Sequence, residues 1–229
     1  MTSMTDIMAE PTQIVDILKN QVANAIIHRK IVSLGEFCGI IEVPTQVINK
    51  HIFHIHDCKA DGLIECSQNS ADRAATYKNG TPEAPNNLLF IKYEEFVNQF
   101  NKSNKCDWSK GLSRVDFIVV TKEFPKHFLM HEVSIGNINS KKADARNQFI
   151  RTLDFLLKVP EMKECINQFE IKRCLVSARG CDDIKPTPRG MADGFGRPYK
   201  LIPNPSEVRI PVINKVGFTI WKGNIIDVE

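Results

Sequence analysis

Residues 114–179 constrain the fold of this chain more than any other stretch, because their hydrophobic period passes from strand to helix and back to strand. Residues 115–120 and 128–135 are rich in Val, Ile and Phe, and residues 121–127 join them with a turn near Pro125. Residues 141–159 give the clearest helix of the sequence. Ala145, Gln148, Phe149, Thr152, Leu153, Leu156 and Leu157 share one of its faces, and Pro160 ends it. Residues 171–178 read as another strand. The order strand, strand, helix, strand predicts a mixed α/β core.

Two acids fall inside this frame. Asp116 stands at the start of the first strand and Glu132 lies within the second. If these strands pair antiparallel through the 121–127 turn, both carboxylates approach one point. Two converging carboxylates suit a hard cation such as Mg²⁺ (or Mn²⁺), which keeps several waters on the metal. A cation so placed lowers the pKa of an attacking water and offsets the charge growing on a phosphate, the minimum equipment for phosphodiester hydrolysis. The plainer reading of the same residues is a strand-start aspartate and an exposed or paired glutamate.

The residues Val115-Asp116-Phe117 and His131-Glu132-Val133-Ser134 are followed by a helix from Lys141 with Gln148 on its inner face, then by the strand Lys172-Arg173-Cys174-Leu175-Val176. On these residues, 114–179 resembles the PD-(D/E)xK nuclease superfamily, to which many restriction endonucleases belong. The resemblance implies a restriction-endonuclease-like mixed sheet flanked by helices, with Asp116 and Glu132 as metal ligands and catalytic acids, Mg²⁺ (or Mn²⁺) as cofactor and DNA as substrate. Val115 replaces the motif's proline, and Ser134 replaces the lysine that orients and activates the attacking water in the family. A serine hydroxyl brings no positive charge. Lys141 or Lys142, at the start of the following helix, is long enough to reach back into the site. Arg146 and Gln148 on that helix are candidates for supporting the site or touching the phosphate backbone; the alternative for Arg146 is a solvated helix face.

Upstream, Ile14, Ile17, Leu18, Val22, Ala25 and Ile26 are spaced by threes and fours, which predicts an amphipathic helix over 12–29. Ser33 and Glu36 have capping-box spacing before a short segment at 34–42. Val43-Pro44-Thr45 breaks the chain, and 45–57 resumes a helical pattern through Ile48, Ile52 and Ile55. Residues 33–65 therefore resemble a winged helix-turn-helix, which implies that Thr45, Gln46, Asn49 and Lys50 face base edges in a major groove. A helical packing or dimerisation module is the alternative. Three parts are expected: a small, mostly helical module at 1–66; a polar wing or linker at 67–87, containing Gly80, Pro82 and Pro85; and the restriction-endonuclease-like domain at 88–229. That domain adds a strand at 88–91, a short helix at 93–100, and strands at 208–213, 217–221 and 225–228.

Composition narrows the classes further. With 42% hydrophobic and 25% charged residues, the chain has the make-up of a soluble globular protein, and no apolar run approaches a membrane span. The N-terminal residues carry no apolar signal core, so secretion is not expected. The seven cysteines are scattered and form no CxxC pair, which predicts reduced thiols in a cytoplasm, packed as small hydrophobes. A net charge of +3 requires any basic footprint to be local. One candidate is the Gly/Pro-rich stretch at 180–205, where Lys185, Arg189, Arg197 and Lys200 interleave with Phe195 and Tyr199; a surface loop or subunit contact is its alternative. Of His51, His54 and His56, only the first two would be neighbours on a helix, so a metal site there is not expected. The expected activity is a metal-dependent endonuclease of restriction or phage-defence type, as a homodimer if it cuts both strands. Two other classes remain open: a nuclease-fold protein that binds nucleic acid or a partner without cutting, and a DNA-binding regulator.

Overall fold

The computed structural model describes residues 12–29, 37, 39–56, 62–70, 73–101, 111–122, 126–135, 142–179, 206–208 and 210–229. Helix α1 (Thr12–Ile17) continues through a π-helical turn (Leu18–Val22) into α2 (Ala23–His28). Strands β1 (Thr45–Ile48), β2 (Ile52–His56), β3 (Glu65–Cys66), β4 (Arg73–Asn79) and β5 (Leu88–Lys92) follow, then α3 (Tyr93–Asn98) with a 3-10 turn (Gln99–Asn101). Next come β6 (Phe117–Thr121), β7 (His127–Ile135), α4 (Lys142–Leu156), α5 (Pro160–Asn167) and β8 (Ile171–Arg179). The described chain closes with β9 (Ser206–Val208), α6 (Pro211–Lys215), β10 (Thr219–Lys222) and β11 (Ile225–Val228). None of the described helices is long and apolar enough to cross a membrane.

Among the described residues the strands form two mixed sheets, flanked by helices. The larger has the order β1-β5-β6-β7-β8-β10-β9, the smaller β11-β4-β2-β3. β5, β6 and β7 run as an antiparallel meander, and α4 and α5 then carry the chain across to β8, which pairs parallel to β7. A parallel neighbour needs such a crossover, because a tight turn can only return the chain antiparallel. The expected mixed α/β architecture is what the chain adopts.

Burial on both faces of the large sheet sets its composition. Ile118, Val120, Phe128, Met130, Cys174 and Val176 belong to one apolar cluster with Phe149 and Leu153 of α4 and with α1 and α2. The alternate residues Phe117, Val119, Leu129 and Leu175 belong to a second cluster with Phe53 and Tyr77 of the small sheet. Residues therefore alternate between layers along each strand, and both layers are apolar.

A polar chain crosses the sheet-to-sheet layer. Tyr77 Oη lies 2.9 Å from His131 Nδ1, His131 Nε2 lies 2.9 Å from Ser177 Oγ, and the Ser177 hydroxyl donates to the Gly223 carbonyl at 2.7 Å. Ser177 spends its one proton on Gly223, so His131 donates from Nε2, and Nδ1 accepts from the Tyr77 hydroxyl. Burial pushes the His131 pKa down to about 3, which keeps the ring neutral and the chain of bonds intact.

Several local expectations are corrected. The helix expected over 45–57 is two strands, β1 and β2, in different sheets. Phe53 and Ile55 are buried while Ile52, His54 and His56 are not, so the period there is two, and the β-branched residues suit it. The wing or linker expected at 67–87 contains β4, which pairs with both β2 and β11. β1 pairs with β5, so the larger sheet draws on both sides of the expected 67–87 division. Pro211 begins α6 inside the strand expected at 208–213, with Ile210 extended before it. Pro160 likewise begins α5 as well as ending the pattern before it. Of the segment expected at 34–42, residue 37 and residues 39–42 are described and non-helical; the rest lies outside the described residues.

Candidate functional site: an acid pair at the end of a hairpin ladder

The β6–β7 ladder runs from Val120↔Phe128 to Phe117↔His131; the next residues are Asp116, just before β6, and Glu132, within β7. Here the ladder gives way to side-chain bonds. The Asp116 carboxylate accepts the Val133 N–H at 2.6 Å, through Oδ2, and the Asp116 N–H donates to the Glu132 carboxylate. The first turn of α3 closes over the same point, with the Glu94 N–H donating to the Asp116 carbonyl at 3.3 Å.

Helix α4 supplies the wall opposite the strands. Gln148 donates to the Glu132 carboxylate and, through Nε2, to the Arg114 carbonyl at 3.3 Å. One turn on, buried Thr152 donates from Oγ1 to the Ser113 carbonyl at 3.2 Å. Residues at i and i+4 share a helix face, so these two bonds pin to α4 the backbone that leads into Asp116. Arg114 pairs in turn with Glu94, Nε to Oε1 at 3.5 Å.

Glu132 is 7% exposed, and its Oε2 is buried without a hydrogen-bond partner. Burial pushes its pKa up to about 9, Asp116 adds to the rise and Glu94 contributes more weakly; the bonds from Gln148 and the Asp116 N–H act against it. A buried carboxyl oxygen with no hydrogen-bond partner is costly, whether or not it carries the proton, unless something else satisfies it. Together with Asp116 it presents carboxylate oxygens of the kind a hard dication takes while keeping its other positions for water or phosphate oxygen. No group of three or more His, Cys, Asp or Glu side chains is gathered to hold a metal among the described residues.

The structure thus brings together Asp116, Glu132 and Gln148. Ser134 pairs with Ala178 in the β7–β8 ladder, and Lys142 is the first residue of α4; their side chains, like Lys141, lie outside the described residues. Arg146 is exposed and about 200° around the helix from Gln148, which places it on the solvated face. Arg189 and Arg197 lie outside the described residues. Lys92, buried at the end of β5, is committed elsewhere: its ammonium reaches the Gly62 carbonyl and lies 3.7 Å from Glu95.

The residues expected on a recognition helix are not on one. Thr45 and Gln46 belong to β1, and Gln46 Oε1 accepts the Ile64 N–H at 2.9 Å. Asn49 and Lys50 follow in the link to β2, both exposed, with Lys50 paired to Glu65. His51 and His54 are hydrogen-bonded to the Asn79 carbonyl and to Thr76 Oγ1. Cys165 and Cys174 are buried, as small apolar cysteines should be, while Cys66 is half-buried.

Sequence reasoning missed Glu94 and Arg114. Glu94 looks like an ordinary acid in the first turn of α3, where it favours the helix dipole. Its only further signal is a position directly after β5, the strand that pairs with β6. No family model, curated protein or solved structure gives a significant match to this chain.

Proposed function

We propose that this chain is a metal-dependent endonuclease that hydrolyses DNA phosphodiester bonds, with Asp116 and Glu132 as its acidic pair. The observation that carries this reading is the buried, unpartnered Oε2 of Glu132 beside a second carboxylate, at the end of an antiparallel ladder. Asp116 and Glu132 would hold Mg²⁺ or Mn²⁺, which when bound makes an attacking water more acidic and offsets charge on the phosphate. The chain's own residues do the positioning. The Val133 N–H fixes the Asp116 carboxylate, Gln148 and the Asp116 N–H orient that of Glu132, and burial keeps bulk water from it. Lys142, the first residue of α4, or Lys141, which precedes it in sequence, would supply the basic group that Ser134 does not.

Ser134 favours a second reading, a nuclease-fold protein that binds nucleic acid without cutting it. One experiment separates the two: incubate supercoiled plasmid and linear phage DNA with the full chain and Mg²⁺ or Mn²⁺. Metal-dependent nicking that falls at least about 100-fold in Asp116→Ala and Glu132→Ala supports the enzyme, a loss typical of removing a group that acts in the transition state. If wild type cuts no better than Glu132→Ala, the enzymatic reading fails, and salt-sensitive binding in a gel shift then supports the second.

A further inference from the structure

The other face of the large sheet carries a separate cavity. About 330 Å³ in volume, it lies between the two sheets, and its wall includes His127, Arg173, Leu175, Trp221, Asp227 and Glu229. His127 begins β7 and lies roughly 16 Å along an extended strand from Glu132. Leu175 and Trp221 pack with the sheet-to-sheet cluster, whereas Glu132 meets Gln148 on the helical side. The volume falls in the range of small-molecule sites.

Two groups in this wall are chemically incomplete, and a third offers it aromatic surface. Arg173 is half-buried, with its guanidinium 5.3 Å from the Trp221 ring centre and Nη1 donating to the Asp227 carbonyl at 3.2 Å. Among the described residues no carboxylate pairs with it, so its charge and remaining donors are available to an anion. His127 is 1% exposed, and its Nε2 lies 2.7 Å from the Glu229 carbonyl. A carbonyl only accepts, so Nε2 carries the proton, and Nδ1 is a bare acceptor, buried and without a partner. Trp221 is half-exposed; its Nε1 is spent on Thr219 Oγ1, which leaves aromatic surface as its contribution to the wall. Asp227 and Glu229 are exposed and bring carboxylates to the solvent side.

An anion alone would answer only Arg173. We propose that the cavity binds a nucleoside monophosphate whose base carries an exocyclic amino group. The phosphate meets the Arg173 guanidinium, the base lies against Trp221, and its amino group donates to His127 Nδ1. The ribose hydroxyls donate to the Asp227 or Glu229 carboxylate, a pairing acidic side chains commonly make with ribose. This site shares no residue with the acid pair and stands independently of the nuclease reading.

The test is calorimetric titration of the full chain with AMP in EDTA, so that no divalent cation bridges nucleotide to the acid pair. Saturable one-to-one binding is expected. Inorganic phosphate, adenosine and purine riboside monophosphate, which lacks the amino group, should each bind at least tenfold more weakly. Arg173→Met keeps an aliphatic stem on Trp221 and should weaken AMP at least tenfold with an unchanged circular dichroism spectrum. Should that variant fail to fold, wild type still decides: AMP should slow phenylglyoxal modification of Arg173, read by peptide mass spectrometry. No saturable AMP binding, phosphate binding as tightly as AMP, or AMP that neither needs nor protects Arg173 would overturn the proposal.

Discussion

Asp116 and Glu132 hold one another where the β6–β7 ladder gives way: the Asp116 N–H donates to the Glu132 carboxylate, and the Asp116 carboxylate takes the Val133 N–H. Asp116 therefore satisfies an N–H of the partner strand with its side chain, while its charge makes ionising Glu132 harder. The same contact that orients the glutamate destabilises its charged form.

Glu132→Gln should consequently stabilise the protein, and more so as pH rises. The folded chain holds the Glu132 proton up to about pH 9, whereas the unfolded chain releases it near its ordinary 4.5. Between those values the folded state binds more protons, so stability falls as pH rises through the window and the loss is complete above it. Glutamine keeps the shape and stays neutral throughout. Melting temperatures of the two proteins should nearly coincide near pH 4.5 and diverge towards pH 9, by roughly 2–4 °C for each kcal/mol recovered. A gap that does not change with pH would refute this.

His131 carries the opposite linkage. Its folded pKa of about 3 lies below the ordinary 6.5, so the stability it contributes is present above 6.5 and lost as pH falls towards 3. Nitrogen NMR should show a single Nε2–H tautomer that does not titrate between about pH 4.5 and 8. Tyr77→Phe removes the donor to Nδ1 and should cost about 1–3 kcal/mol in urea unfolding, the usual loss for a buried acceptor left unsatisfied. An imidazole titrating near 6.5 would mean that the Tyr77–His131–Ser177 chain is open to water.

Gly80 should resist substitution. Its φ is +58°, its N–H donates to the Val228 carbonyl at 2.8 Å, and an added Cβ would lie 2.5 Å from the Ala84 carbonyl oxygen. Both strain and clash act on the turn that leaves β4 beside β11. Gly80→Ala should therefore cost more than the roughly 1 kcal/mol typical of point mutants. Urea unfolding that shows no loss would exclude it.

The central frame was legible in the sequence because its elements are long and their periods unambiguous. β6, β7 and β8 begin and end within two residues of the positions their patterns predict, and α4 begins within one residue of its pattern but ends three residues early, at Leu156. The failure at 45–57 has a specific cause: Ile48, Ile52 and Ile55 are spaced by four and three, which fits a helix stripe, yet Ile48 and Ile55 are buried in strands of different sheets and Ile52 is exposed. Short β-branched runs support either period, and tertiary pairing decides. Of the site, Asp116 and Glu132 were legible because they flank one turn. Glu94 was not, because its approach to Asp116 depends on how α3 folds back after β5.

Divalent cation binding offers the most direct check on the acid pair, because the resting protonation of Glu132 gives it a signature. At neutral pH the buried carboxyl retains its proton. A cation held by Glu132 and Asp116 needs the carboxylate, so binding must release that proton. Two consequences can be measured on the full chain with Mg²⁺ or Mn²⁺. Apparent affinity should rise nearly tenfold per pH unit on approach to pH 9 and then level off. Titrations in buffers of low and high ionisation enthalpy should differ by about one proton released per ion bound near pH 7. In Glu132→Gln there is no proton to lose, so binding weakens and the buffer dependence disappears; Asp116→Asn should weaken binding and also lower the Glu132 pKa by removing the adjacent charge. An affinity that does not change from pH 6 to 9, or equal binding by Glu132→Gln, would place the ion elsewhere and remove the main support for the nuclease reading.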